Sequence, residues 1–216
     1  VKQIDKKDAQ ELNALHIKNL SKSYGDRQLF THLNLDVQAG QKVLIKGPSG
    51  CGKSTLFRLI TGEEIADEGE IIGVTTVNEC TSSFVSSIGI ISQHPFLFND
   101  TVRYNLTLGQ EFSEEELLAV LKQVKLDFEL TGGLDFIIKN NGENISGGQR
   151  VRIELARFLL RRKNLLLADE VTATLDKENA LMVRELLFSL PVMMLEIAHH
   201  IDDESRYQQV VDLGKY

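Results

Sequence analysis

Gly47-Pro48-Ser49-Gly50-Cys51-Gly52-Lys53-Ser54 fits G-x-x-x-x-G-K-[S/T], a pattern in which a glycine-rich loop cradles nucleotide phosphates. The flanks supply the context that this pattern needs. Lys42-Val43-Leu44-Ile45-Lys46 reads as a short β-strand, and residues 54–61 read as a helix stopped by Gly62. Glycines let successive backbone N–H groups turn toward one anion. The helix opening at Gly52-Lys53 adds the positive end of its dipole. In such a loop Lys53 reaches the β- and γ-phosphates, and the Ser54 hydroxyl ligates Mg2+.

The composition supports this reading and narrows it. The chain has 216 residues, 42% of them hydrophobic, enough for one large domain or a domain with a lobe. Its net charge of −7, with no basic tail or stripe, argues against a nucleic-acid partner. Arg161-Arg162-Lys163 forms a short cluster at an expected helix C-terminus, where cations suit the dipole. Cys51 and Cys80 have no metal-ligand spacing, and a reducing, cytosolic environment fits them. No run of 18 apolar residues reads as a membrane span, and no signal peptide is seen. The first residue, Val1 in place of Met, suggests an excised or trimmed domain, and processing would do the same.

Along the chain, residues 14–46 read as short strands joined by turns, at 15–17, 23–26 and 33–37. Residues 71–92 are again β-rich. From 100 to 160 the pattern turns helical. Ser113-Glu114-Glu115-Glu116 makes a capping box for a helix with Leu117, Leu118, Val120, Leu121 and Val124 on its apolar side. Residues 131–145 read as a loop, after which Ser146 caps a helix running to about Arg162. Strands follow at 164–169, 192–198 and 209–213, with a helix at 177–189 capped by Asp176. This order implies an α/β fold with a mostly parallel central sheet. Glu196 interrupts the apolar strand 192–198, and burial there requires a partner.

Two further motifs carry chemistry. Leu165-Leu166-Leu167-Ala168-Asp169-Glu170 sets two acids at the C-terminal end of an apolar strand, where ligands bind in open α/β sheets. Asp169 suits a Mg2+ partner, and Glu170 suits the group that polarises an attacking water. Ile145-Ser146-Gly147-Gly148-Gln149 places Ser-Gly-Gly at a helix start, a second anion-binding N-terminus. One nucleotide needs only one phosphate loop, so the second site points to a nucleotide held by another subunit.

With these motifs in this order, the chain resembles the ATPase domain of ATP-binding cassette (ABC) transporters over residues 14–214. The resemblance implies a P-loop NTPase core (about 1–93 and 156–216), an N-terminal antiparallel β subdomain and an inserted helical lobe (about 94–155), all in one domain spanning 1–216. It implies that Tyr24 stacks on adenine, that residues 47–54 with Thr55 form the Walker A loop, and that Gln93 is the Q-loop glutamine, near Mg2+. It also implies that 145–149 is the signature, with Ile145 for the more usual Leu. Asp169 and Glu170 match Walker B and the catalytic base, Thr174-Leu175-Asp176 the D-loop, and His199 the switch histidine, with His200 beside it.

Gln93-His94-Pro95-Phe96-Leu97-Phe98-Asn99-Asp100-Thr101-Val102-Arg103-Tyr104-Asn105-Leu106 looks like the exporter version of the Q-loop region. Ile137 and Asn140 stand where exporters often place acids, and Ala173 replaces the usual D-loop Ser. The implied protein is an ATPase using ATP and Mg2+, working as a head-to-tail dimer with two ATPs at the interface. It implies a transmembrane permease domain fused N-terminally, at the cytoplasmic face of a membrane, and no nucleic acid. An importer subunit, a soluble ABC ATPase and a non-hydrolysing regulatory cassette are the rival readings.

Overall fold

The structure is a computed structural model that describes residues 11–75, 79–80, 83–126, 132–198, 201 and 203–216. It is an α/β fold in two units. The first comprises Val1–Gly89, Asn164–Leu167 and Pro191–Tyr216, the second Ile90–Lys163 and Ala168–Leu190.

The first unit holds an antiparallel sheet of order β2-β1-β4-β5. Strands β1 (Leu12–Tyr24) and β2 (Arg27–Gln38) form one long hairpin, turned at Gly25 with φ 57°. These strands are longer than the short segments expected from the sequence. Register shifts after Ile17 and Leu20, with Asn19 at φ 48°, break the period-two alternation that would have shown their length. On the other edge of β1 lies β4 (Glu68–Thr75), which pairs with the short β5 (Glu79–Cys80).

The second sheet has order β6-β7-β8-β3-β9. Its centre is β3 (Lys42–Lys46), parallel to both β8 (Met193–Ile197) and β9 (Gln209–Asp212). The remaining strands are β6 (Ile88–Ile91) and β7 (Leu165–Asp169). Near-continuous apolar runs suit strands buried on both faces. Val43, Ile45, Leu165, Leu167, Leu195 and Ile197 face a core shared with Leu56 and Ile60 of helix α1 (Lys53–Ile60) and with Leu15, Phe30 and Leu33. Fully burying each such side chain contributes about 1.5–3 kcal/mol.

Two polar groups enter this apolar sheet with partners. Glu196 is 1% exposed, and its Oε2 accepts a 2.6 Å hydrogen bond from the Tyr207 hydroxyl. Lys42 donates to the Val192 carbonyl, and burial pushes its pKa down to about 8.

Among the described residues, the second unit is built on the α-helices α2 (Val102–Thr107), α3 (Glu114–Gln123), α4 (Gly147–Leu160) and α5 (Lys177–Ser189). Ser113 with Glu116, and Ser146 with Gln149, form reciprocal capping boxes, while Asp176 accepts from the Asn179 N–H. On α3, Leu117, Val120 and Leu121 are buried, but Leu118 is 49% exposed. Helix α4 packs against α2, α3 and α5. Its Arg152, 1% exposed, donates to the Gly148 and Lys125 carbonyls. Its Arg157 donates to the Asn105 and Phe96 carbonyls and to the Asn105 amide oxygen.

Glu154, also on α4, is less well compensated. Its Oε2 is buried with no hydrogen-bond partner among the described residues. Desolvation pushes its pKa up to about 7, opposed by the Arg157 charge and by a hydrogen bond from the Ser92 N–H.

Two stability predictions follow from this packing. Gly69, the second residue of β4, has φ 85°, and a Cβ there would lie 2.4 Å from the carbonyl oxygens of Lys18 and Asn19. Gly69→Ala is therefore expected to cost about 2–4 kcal/mol in urea unfolding; a loss below about 0.5 kcal/mol would contradict the close approach. For Glu154 the folded pKa, about 7, lies above the ordinary 4.5. The folded state thus holds the proton more tightly. The burial penalty is fully present above pH 7 and is relieved as pH falls toward 4.5. Glu154→Gln is expected to raise stability by about 2–3 kcal/mol at pH 8 and by little at pH 4.5. The same gain at both pH values would sink this account.

Candidate functional site

The glycine loop links β3 to α1 in the first unit, and its backbone takes conformations that side chains resist. Gly47, Gly50 and Gly52 have φ of 145°, 77° and 105°. A Cβ on Gly52 would press within 3.1 Å of Leu29 and Phe30. Gly52 is also the N-cap of α1, and no side chain caps the helix there. The first-turn N–H groups are thus left facing the loop, which is the donor chemistry an anion requires.

Lys53, 7% exposed, folds its amine back onto the Gly47 and Pro48 carbonyls at 2.9 and 3.1 Å. Arg27 braces the loop from β2 through the Gly50 carbonyl at 2.8 Å. Ser54 is exposed, Thr55 is buried, and Cys51 is a half-buried free thiol. A 280 Å³ hollow beside the loop is lined by Arg27, Pro48, Ser49, Gly50, Cys51 and Tyr216 among others.

Tyr24 ends β1 in the same unit and is 45% exposed. Its hydroxyl donates to Glu64 and accepts from Arg58. That hydroxyl bond holds the Glu64 carboxyl below its ordinary pKa against the opposing cost of burial, with help from Lys22 and Arg58.

In the second unit, Gln93 is half-buried in the bend after β6, next to the Ser92 N–H that Glu154 accepts. Ser146 and Gln149 cap α4 reciprocally: the Gln149 N–H reaches the Ser146 Oγ at 3.1 Å, and the Gln149 Oε1 takes the Ser146 N–H at 2.9 Å. The two glycines between them lie against the start of α5. A Cβ on Gly147 would come 2.8 Å from Leu175, and one on Gly148 2.4 Å from the Asn179 amide oxygen. Asn179 is itself held by Asp176.

Asp169 ends β7, and Glu170 follows at φ 49°, the left-handed region that costs a non-glycine residue strain. Such outliers persist where the surroundings enforce them, and they concentrate at functional positions. His199 and His200 lie outside the described residues.

Sequence reasoning overlooked Arg27, Glu64, Glu154, Arg157 and Asn179. Arg157 on α4 and Arg161, the residue that caps its C-terminus, stand four apart, and that spacing places them on one helix face. The structure uses both on α2, where Arg161 donates to the Leu106 and Thr107 carbonyls.

The chain is similar over most of its length to known proteins. A family model described as ABC transporter matches residues 30–173. The chain is 38% identical over 204 residues to an ATP-dependent lipid A-core flippase of Francisella tularensis subsp. holarctica (strain OSU18), covering 90% of this chain and 34% of that protein. It is 32% identical over 237 residues to the ABC transporter ATP-binding protein YwjA of Bacillus subtilis (strain 168), covering 97% and 41%. A solved structure of a bacterial Atm1-family ABC exporter with ATP bound superposes with a TM-score of 0.79 at 30% identity, over 95% of this chain and 38% of that one. The chain thus spans about a third of the length of the flippases it matches. Among the described residues, no helix is long and apolar enough to cross a membrane. On the strength of the phosphate loop, the strained acid after β7, the self-capped glycine helix and these matches, the chain belongs to the ABC transporter family, as its ATP-binding domain.

Proposed function

We propose that this domain binds ATP, hydrolyses it, and powers export by a membrane protein of which it forms the cytoplasmic part. The uncapped start of α1 carries this reading, because its donors have no side chain to satisfy them. The loop amides and Lys53 hold the phosphates, Lys53 trading its Gly47 and Pro48 carbonyls for phosphate oxygens. Ser54, Gln93 and Asp169 offer the hard oxygen donors that Mg2+ prefers, and the ion, when bound, neutralises charge on the β- and γ-phosphates.

A second copy, arranged head to tail, presents Ser146 and Gly148 to the γ-phosphate. Glu170 orients the attacking water, and His199 stabilises charge that develops on the phosphoryl group. ATP then favours the closed dimer, and hydrolysis removes that preference.

The permease is proposed to be fused N-terminally and to receive the motion on the segment after Gln93. There Phe96, Phe98 and Tyr104 stack edge to face, with ring centroids 5.1 and 5.7 Å apart, and are 39–60% exposed. Exposed aromatic clusters of this kind mark contact surfaces. Export, rather than import, is supported by the flippase and exporter relatives.

Glu170→Gln is expected to keep ATP binding and to lose hydrolysis by roughly 100-fold or more. Phosphate release and equilibrium ATP binding, measured on the full-length protein, test this directly. Equal turnover in variant and wild type would remove Glu170 from the mechanism.

A further inference from the structure

Tyr24 is unusually well tethered for an exposed aromatic at a strand end. Its hydroxyl is shared between Glu64 and Arg58, the latter at 3.1 Å. Glu64 is in turn paired with Arg58 and with Lys22, each at 3.4 Å, and its side chain is only 17% exposed. Lys22 is nearly buried, at 9%, and its amine donates to the Ile65 carbonyl at 2.8 Å and to Asp67 at 3.4 Å. The same amine lies 5.3 Å from the centroid of the Tyr24 ring, within cation–π range. Asp67 also accepts the Ser23 N–H at 2.7 Å, which fixes the backbone next to Tyr24. Hydroxyl, one ring face and adjoining backbone are all held by residues of the first unit.

We propose that Glu64 and Lys22 are positioning residues that preset the Tyr24 ring as a platform for the purine base of the nucleotide. The inference rests on the reading that the base stacks on Tyr24. An exposed tyrosine normally loses rotamer freedom when a ligand stacks on it, and a ring already fixed avoids that loss. Lys22 takes one face and draws its electron density, so the ring meets an electron-rich purine with less repulsion on the other. Arg58 and Glu64 stop the hydroxyl from swinging the ring away. Arg58 also donates to the Thr55 hydroxyl at 3.4 Å, but the groups varied below, Glu64, Lys22 and the Tyr24 hydroxyl, have no hydrogen bond or ion pair to residues 47–55 among the described residues, so their effect falls on the base and not on the triphosphate.

The test compares equilibrium binding of ATP with that of inorganic triphosphate, on the full-length protein with Mg2+ chelated. The variants are Glu64→Gln, Lys22→Met, Tyr24→Phe, which keeps the ring and removes only its tether, and Tyr24→Ala. Glu64→Gln and Tyr24→Phe are each expected to weaken ATP by about three- to tenfold, and Lys22→Met to act in the same direction, all with triphosphate unchanged. Tyr24→Ala is expected to weaken ATP more, and adding Glu64→Gln to it to change nothing further.

If Tyr24→Ala weakens ATP while Glu64→Gln and Tyr24→Phe match wild type, stacking stands and the positioning role falls. Tighter ATP binding by Glu64→Gln also overturns the role, because the network would then hold the ring back from the base. Equal weakening of ATP and triphosphate overturns it by placing the effect in the loop. If Tyr24→Ala leaves ATP binding unchanged, the stacking reading itself falls, and the inference with it.

Discussion

Every α-helix begins with backbone N–H groups that no preceding carbonyl can meet, and the answer each helix gives to that constraint organises this protein. Thr101, Ser113, Ser146 and Asp176 supply oxygen atoms to α2, α3, α4 and α5. Helix α1 receives none, because Gly52 stands where a capping side chain would be. That exposed set of donors could not survive on a wandering loop. It is held still by β3, hydrogen-bonded in parallel to β8 and β9, and by Arg27 on the Gly50 carbonyl. The buried aliphatic faces of β3, β8 and α1 make the platform rigid, and the glycine φ values give the loop its shape.

The second unit answers a different problem, that of buried polar groups. Asn105 is fully buried, yet its side-chain oxygen accepts the Phe98 N–H and an Arg157 N–H, while its amide group donates to the Phe98 and Thr101 carbonyls. Arg157 ties this cluster to the Phe96 carbonyl. Asn141 adds a second stitch, accepting the Leu97 N–H and donating its own N–H to Asn99. The stretch before the signature helix and the stretch after Gln93 are thereby joined by hydrogen bonds, which demand alignment, as well as by apolar contact.

Much of this was legible in the amino acids, and the exceptions share a cause. Caps at Ser113, Ser146 and Asp176, the stop at Gly62 and the buried strands around Leu44, Leu166 and Leu195 all follow from local pattern. The phosphate loop was legible because its glycines, lysine and serine are contiguous. Other features depend on partners far away in sequence. Glu64 meets Tyr24 across 40 positions, Arg157 meets Asn105 across 52, and Tyr207 meets Glu196 across 11. The full length of β1 and β2 was hidden by irregular register, and Leu118 followed the apolar spacing of α3 without finding a surface to cover. No periodicity rule encodes such meetings, because long-range packing decides them.

The reciprocal cap of α4 has a consequence for exchange. Ser146 and Gln149 engage one another, so the Ser146 N–H and the Gln149 N–H are already bonded at rest, while the cap leaves the Gly147 and Gly148 N–H groups to other partners. Any ligand that took the Ser146 hydroxyl or the Gln149 N–H would replace a hydrogen bond there rather than add one, and its net gain from those two groups would be small. The two helix starts in one chain are therefore unequal in what they hold ready: the one at Gly52 has no side-chain capping bond to give up, and the one at Ser146 has two.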